Sequence, residues 1–463
     1  MIRILFTFAL VCFVAGPGFA QGMTLPDAHR VQLDNGVVFI LNEKHDVPLI
    51  GLQAVLLGGA ANDPAGKAGL SSIVAGLLEK GAGDRDAAAF AEAIDAVGGS
   101  LSASATLETI SIEGEFLARD ADLMIELLVD MLQAPRLNAA EMRKLRDRRV
   151  NLLRAAKDND PRQLTAIYGN AFLFGDHPYG TPVGGDEESL ARITPDDVRA
   201  YYNDYVGANR LVISIAGDFV VADMINVLSE TFRDWRAVDG PLAAVPAAEP
   251  RPGRRVLLVD KPGASQSYFW IGNVGVARGY EQRAELDIAN ALFGGRFTSL
   301  LVDEMRTNAG LTYGVSSTLL RPAAPGSVAT VSFTKTDTTV EAIDLAVSLL
   351  DKMRTEGFGD EIISSGKNYI LGQFPPRLET AAQLAAQFAA LEAFGLDNSY
   401  VDDYGSAIAN AAGEAINTVI KEVYPNPADL VFVIIGDANL LRENVAKYGP
   451  ITEMPMTAPR FRP

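Results

Sequence analysis

The chain has 463 residues, is 48% hydrophobic and carries a net charge of −18. That length predicts about two to four compact units with sizeable cores, and the acidity argues against nucleic acid or an anionic membrane as partner. A single cysteine, Cys12, excludes a disulfide framework. In chain order, Arg3, the apolar run from Ile4 to Ala15 and the small residues around Gly18-Phe19-Ala20 read as a secretory signal over residues 1–20, cleaved before Gln21. The run is shorter than the ~20 residues that span a bilayer, and no later segment is long and apolar enough. The expectation is a soluble periplasmic protein whose mature form has no thiol and no membrane association.

Two strands are predicted at Gly36 to Asn42 and Leu49 to Leu57, with His45-Asp46-Val47-Pro48 as the hairpin turn between them. Leu70, Ile73, Val74, Leu77 and Leu78 recur at helical spacing, which predicts a helix over Gly69 to Glu79. A second helix over Ala87 to Val97 stops at Gly98-Gly99. Ser100 to Phe116 alternates like strands, and Ala121 to Gln133 is again helical. Strand patterns ending in Gly217-Asp218 and Gly436-Asp437, each preceded by a tyrosine (Tyr205 and Tyr424), look like copies at a domain-sized offset rather than the short period of a solenoid. Pro241, Pro246, Pro250 and Pro252 mark a linker. The chain therefore divides into a first domain, 21–240, a linker, 241–254, and a second domain, 255–463. The fold class is α/β, an α+β sandwich: two homologous domains, each a mixed β-sheet packed with helices.

Several segments together resemble the inverzincin metallopeptidases, the pitrilysin/insulinase and mitochondrial processing peptidase family. They are Asp63-Pro64, Gly66-Lys67 and Gly69-Leu70, the helix up to Lys80-Gly81, His177-Pro178-Tyr179-Gly180, the two Gly-Asp strand ends, and Lys367 through Tyr369 to Phe374-Pro375. The family carries His-x-x-Glu-His on that first helix, with two histidines on one face binding zinc and the glutamate activating water. At the three matching positions stand Ser72, Ala75 and Gly76, on the face opposite the apolar stripe. None is a zinc ligand or a general base. A more distant glutamate completes the family's site, yet no carboxylate occurs between Arg148 and Lys157, including Asn151 to Ala156. His29, His45 and His177 are far apart and have no ligand spacing. The expectation is no metal in this chain.

The second half departs from this pattern of loss. Gly294-Gly295-Arg296-Phe297 leads into a helix that carries Arg306, and Tyr313 follows seven residues later. The helix should stop near Gly310, and Leu311, Tyr313 and Val315 should share one strand face. Spacing alone reads Arg306 as the complement of a helix C-terminus and Tyr313 as core. The resemblance instead matches them to the family's Arg/Tyr segment, which reaches towards a zinc site and stabilises the oxyanion. The glycine pair lacks a phosphate-loop pattern and reads as flexible backbone near the substrate path. The resemblance implies a zinc-less subunit of a periplasmic two-chain metallopeptidase, unable to cut peptides alone. Zinc would sit on a homologous partner, peptides would be the substrate, and Arg306 and Tyr313 would act in trans. The alternative is a non-catalytic peptide-binding or structural scaffold of the same fold.

Overall fold

The computed structural model describes residues 24–463; the expected signal segment and Cys12 lie outside the described residues. Two six-stranded sheets form the framework. In spatial order the first contains His29–Gln32, Val38–Glu43, Leu211–Gly217, Leu49–Leu57, Thr109–Leu117 and Ser100–Ala105. The second contains Val315–Leu320, Ser327–Lys335, Gln266–Val274, Val431–Gly436, Arg255–Asp260 and Ile451–Pro455. Between Phe232 and Arg255 the chain forms no helix or strand.

The repeated Gly-Asp strands occupy equivalent interior places. Leu211–Gly217 runs parallel to Val38–Glu43 and antiparallel to Leu49–Leu57. Val431–Gly436 runs parallel to Arg255–Asp260 and antiparallel to Gln266–Val274. All seven residues of the first and all six of the second are buried, as strands covered on both faces must be. Gly217 has φ +134°, and a Cβ there would lie 2.1 Å from the Leu49 carbonyl oxygen, so only glycine fits.

This placement corrects the expected hairpin. The strands Val38–Glu43 and Leu49–Leu57 form where the sequence predicts them, but they do not pair with each other. The fully buried Leu211–Gly217 lies between them, and His45-Asp46-Val47-Pro48 crosses over its end. Lys44 N–H donates to the Gly217 carbonyl at 2.7 Å, and Asp218 N–H donates to the Leu49 carbonyl at 3.0 Å.

Each half has its own core, and the halves also exchange helices. One face of the first sheet is covered by its own helices, among them Leu70–Leu78 and Ala121–Gln133. The other face, with Val38, Ile40 and Val212, is covered by the helix Ala381–Ala393 from the second half, through Leu384, Ala385 and Phe388. Reciprocally, the helix Thr165–Phe174 of the first half puts Tyr168 and Ala171 against Trp270 and Val433 of the second sheet. Glycines permit both approaches: a Cβ on Gly51 would lie 2.3 Å from Ala382 N, and one on Gly169 would lie 2.6 Å from the Trp270 ring. The final residues tie the halves again. Phe461 packs edge-on to Tyr168 with ring centroids 4.9 Å apart, and Arg462 pairs with Asp176 at 2.8 Å.

Candidate functional site

The helix Leu70–Leu78 starts at Gly69, whose φ of +92° turns the chain into it. Its free N–H groups are capped from upstream. The Asp63 carboxylate accepts from Gly69 N–H at 2.7 Å and from Ser71 N–H at 2.8 Å. Burial pushes the Asp63 carboxyl up to about 7, against the opposing pull of these hydrogen bonds.

Ser72 and Ala75 are buried, and Gly76 is half-buried. The face expected to be free is covered by the long helix Ala139–Asp158. From that helix Arg149 donates to Ser72 Oγ at 2.6 Å and to the Ser72 carbonyl at 3.0 Å. Leu145, one turn earlier, would meet a Cβ on Gly76 at 3.4 Å. Arg149 lies 77 positions after Ser72, inside the interval that lacks a carboxylate. Burial lowers its pKa from the usual arginine value. A guanidinium therefore stands where a zinc site needs anionic and imidazole donors, and its charge repels a divalent cation. The residues present do not fit zinc. Among the described residues, no group of three or more His, Cys, Asp or Glu side chains converges on a metal-sized site.

The three histidines are separate. His45 is exposed and bridges Asp218 at 2.6 Å and Glu43 at 2.7 Å; these hydrogen bonds, the one to Asp218 foremost, raise its pKa. His177 accepts at Nδ1 from Tyr179 N–H and donates from Nε2 to the Pro246 carbonyl, which fixes its tautomer. His29 lies on the edge strand of the first sheet.

In the second half, two short π-helical segments, Ala291–Gly295 and Val302–Asn308, frame the Arg/Tyr region. Such wide turns are uncommon and recur at functional sites. Gly310, at φ +65°, ends the second one near the expected place. Arg306 sits in its last turn. The strand begins only at Val315, so Tyr313 does not share a strand face with Leu311 and Val315. Those two are buried, whereas Tyr313 is 77% exposed. The irregular backbone from Gly310 to Gly314 turns its ring outward, and a core role for Tyr313 is excluded. The Arg306 guanidinium carbon lies over the Tyr313 ring, 4.7 Å from its centroid, and over the Phe297 ring, also at 4.7 Å. Among the described residues it has no hydrogen bond or ion pair, so its five N–H donors are free.

Gly294 also corrects an expectation. A Cβ there would lie 2.4 Å from Ser317 N, so this glycine serves a close approach to the edge strand Val315–Leu320 rather than flexibility. No hydrogen bond or ion pair among the described residues joins Arg306 or Tyr313 to the Ser72–Arg149 pair.

Sequence reasoning missed two residues. In the sequence Arg149 is only one arginine of a carboxylate-free interval, with nothing to pair it with Ser72. Phe297 was visible as an aromatic residue after Gly294-Gly295, with no pattern to mark it as exposed.

Residues 38–185 match the family model described as insulinase (peptidase family M16), and residues 192–370 match that of the peptidase M16 inactive domain. The chain is 30% identical over 263 residues to an uncharacterised zinc protease of Mycobacterium leprae, a match covering 56% of this chain and 59% of that one. It is 22% identical over 405 residues to a non-peptidase homolog of Helicobacter pylori, covering 87% of this chain and 92% of that protein. In structure it superimposes on the peptidase M16 inactive domain from Pseudomonas fluorescens with a TM-score of 0.82 at 20% identity, over 89% of this chain and 98% of the other. With two consecutive M16 matches, two mixed sheets packed with helices, and an arginine in place of zinc ligands, the chain belongs to the M16 inverzincin peptidase family, as a member of its inactive type.

Proposed function

We propose that this chain is the zinc-less subunit of a periplasmic two-chain metalloendopeptidase and presents Arg306 and Tyr313 to peptides held at the zinc site of a homologous partner. The observation that carries the reading is the 77% exposure of Tyr313 beside an Arg306 guanidinium that has no polar partner among the described residues. Exposing a tyrosine ring gives up apolar burial, and leaving a guanidinium without a polar partner keeps its donors for another molecule.

The chemistry follows from what those donors can reach. A zinc ion on the partner would supply an activated water near neutral pH. Attack on a peptide carbonyl places negative charge on its oxygen. The Arg306 N–H groups and the Tyr313 hydroxyl donate to that oxygen or to neighbouring backbone carbonyls. One such donor typically contributes about 2.7–4 kcal/mol to transition-state stabilisation. The Ser72–Arg149 arrangement supports the division of labour, because it leaves this chain without a metal helix of its own. The amino-terminal signal pattern supports export.

The test is a zinc determination and a peptide-digestion assay on the mature chain alone and again with the zinc-bearing homologue added. The expected result is a chain without zinc or activity that forms an active complex. Stoichiometric zinc or peptide cleavage in the chain alone would sink the reading.

A further inference from the structure

The inference rests on the reading just proposed and adds a residue to it. Phe297 is 71% exposed, a costly place for a large apolar ring unless the ring has work at the surface. Its neighbours show what that work is. The Phe297 and Tyr313 rings each lie 4.7 Å from the Arg306 guanidinium carbon, so the cation is held by two aromatic faces. A ring face attracts a cation through its quadrupole and takes up none of its N–H donors. Arg278 provides the contrast. It lies over Phe394 at 3.3 Å, but it also pairs with Glu108, which occupies one edge of the guanidinium. At Arg306 the rings are the only hold among the described residues, and the hydrogen-bonding edge stays open.

Local backbone brings Phe297 there. The π-helical turn Ala291–Gly295 presses its penultimate residue, Gly294, onto Ser317 of the strand that follows Tyr313. The next turn, closed by Ser299 N–H donating to the Arg296 carbonyl at 3.2 Å, carries Phe297 on its outer side. Beside it, Arg296 is tied down by donating to Ser365 Oγ at 3.0 Å. The glycine contact thus anchors the phenylalanine turn to the segment that bears Tyr313.

We propose that Phe297 is a positioning residue for the Arg306–Tyr313 pair: its ring holds the guanidinium with all N–H donors directed at the backbone carbonyls of an extended peptide. It acts through Arg306 and needs no contact with the scissile bond. Removing it leaves Arg306 charged but free to sample many rotamers, so donors must be ordered during the reaction rather than before it.

Two measurements test this, one independent of the partner. In the isolated chain, the Nε–H order parameter of Arg306 measured by NMR should fall in Phe297→Ala and Phe297→Leu and stay at the wild-type value in Phe297→Tyr. Thermal unfolding should be unchanged in all three, because the ring is exposed. In the two-chain complex, assayed with an internally quenched peptide that the wild type cleaves, Phe297→Ala and Phe297→Leu should lower kcat/KM about fivefold, mostly through kcat, and Phe297→Tyr should restore it. An unchanged Arg306 order parameter in Phe297→Ala would overturn the proposal. So would an unchanged kcat/KM in a complex that Arg306→Ala does slow. If Arg306→Ala slows nothing, the two-chain reading itself fails, and the order parameter still decides whether Phe297 holds the guanidinium.

Discussion

Arg149 and Ser72 decide what the first helix can bind. Two hydrogen bonds from one guanidinium tie this helix to Ala139–Asp158 at Ser72, one of the positions matched to the family's metal motif. Reinstating ligands on one helix should therefore not be enough. A variant with Ser72→His, Ala75→Glu and Gly76→His should remain zinc-free by elemental analysis while Arg149 is present, and adding Arg149→Glu should allow uptake. Zinc in the first variant would contradict the blocking role. Asp63 makes a second residue-scale prediction. Its carboxyl titrates near 7 in the fold because it is buried, and near 3.9 in the unfolded chain. Between those values the folded state holds a proton that the unfolded state has lost, so this group's contribution to stability falls as pH rises from about 4 to about 7 and is level above that. Urea denaturation at pH 5 and pH 8 should show wild type losing more stability than Asp63→Asn over this interval. Parallel losses would rule the assignment out.

At the scale of elements, much was legible. The helices Leu70–Leu78 and Ala121–Gln133 appear where apolar spacing places them, because each buries one face against the sheet of its own half. The strand Leu211–Gly217 was legible as buried, but not as the strand inserted between Val38–Glu43 and Leu49–Leu57. Periodicity reports that a face is covered; it does not say which distant element covers it. The exchange of Thr165–Phe174 and Ala381–Ala393 was invisible for the same reason, and Gly51 and Gly169 carried the only local trace of it. Gly51→Ala forces a Cβ against the backbone of Ala382 and should destabilise the protein by about 1–3 kcal/mol, read as a lower urea midpoint at unchanged slope. A midpoint equal to wild type would mean that the exchanged helix does not pack this closely. The candidate site divides in the same way. The lost ligands at Ser72, Ala75 and Gly76 and the Arg306–Tyr313 spacing are one-dimensional patterns. Arg149 against Ser72, and Phe297 over Arg306, are contacts between segments that no periodic pattern relates.

On the scale of the whole molecule, exchanged helices and the carboxy-terminal segment bind the halves into one body. Lys157 donates to the Ala458 carbonyl at 2.6 Å and pairs with Glu187, while Arg460 pairs with Glu188. Within that body the two functional regions have diverged. In the first half, the helix Leu70–Leu78 carries no metal ligands and is tied to Ala139–Asp158 by Arg149. The second carries an exposed tyrosine beside a half-buried arginine whose guanidinium has aromatic but no polar partners among the described residues. The central claim is that this pair serves a zinc site on another subunit. Its most direct test is the kcat/KM of the two-chain complex rebuilt with Arg306→Ala or Tyr313→Phe, alongside size-exclusion chromatography to confirm assembly. The account predicts intact assembly and a fall of about 10²-fold or more for Arg306→Ala, with a smaller fall for Tyr313→Phe. Assembled complexes that cleave peptide at the wild-type rate with either substitution would contradict it.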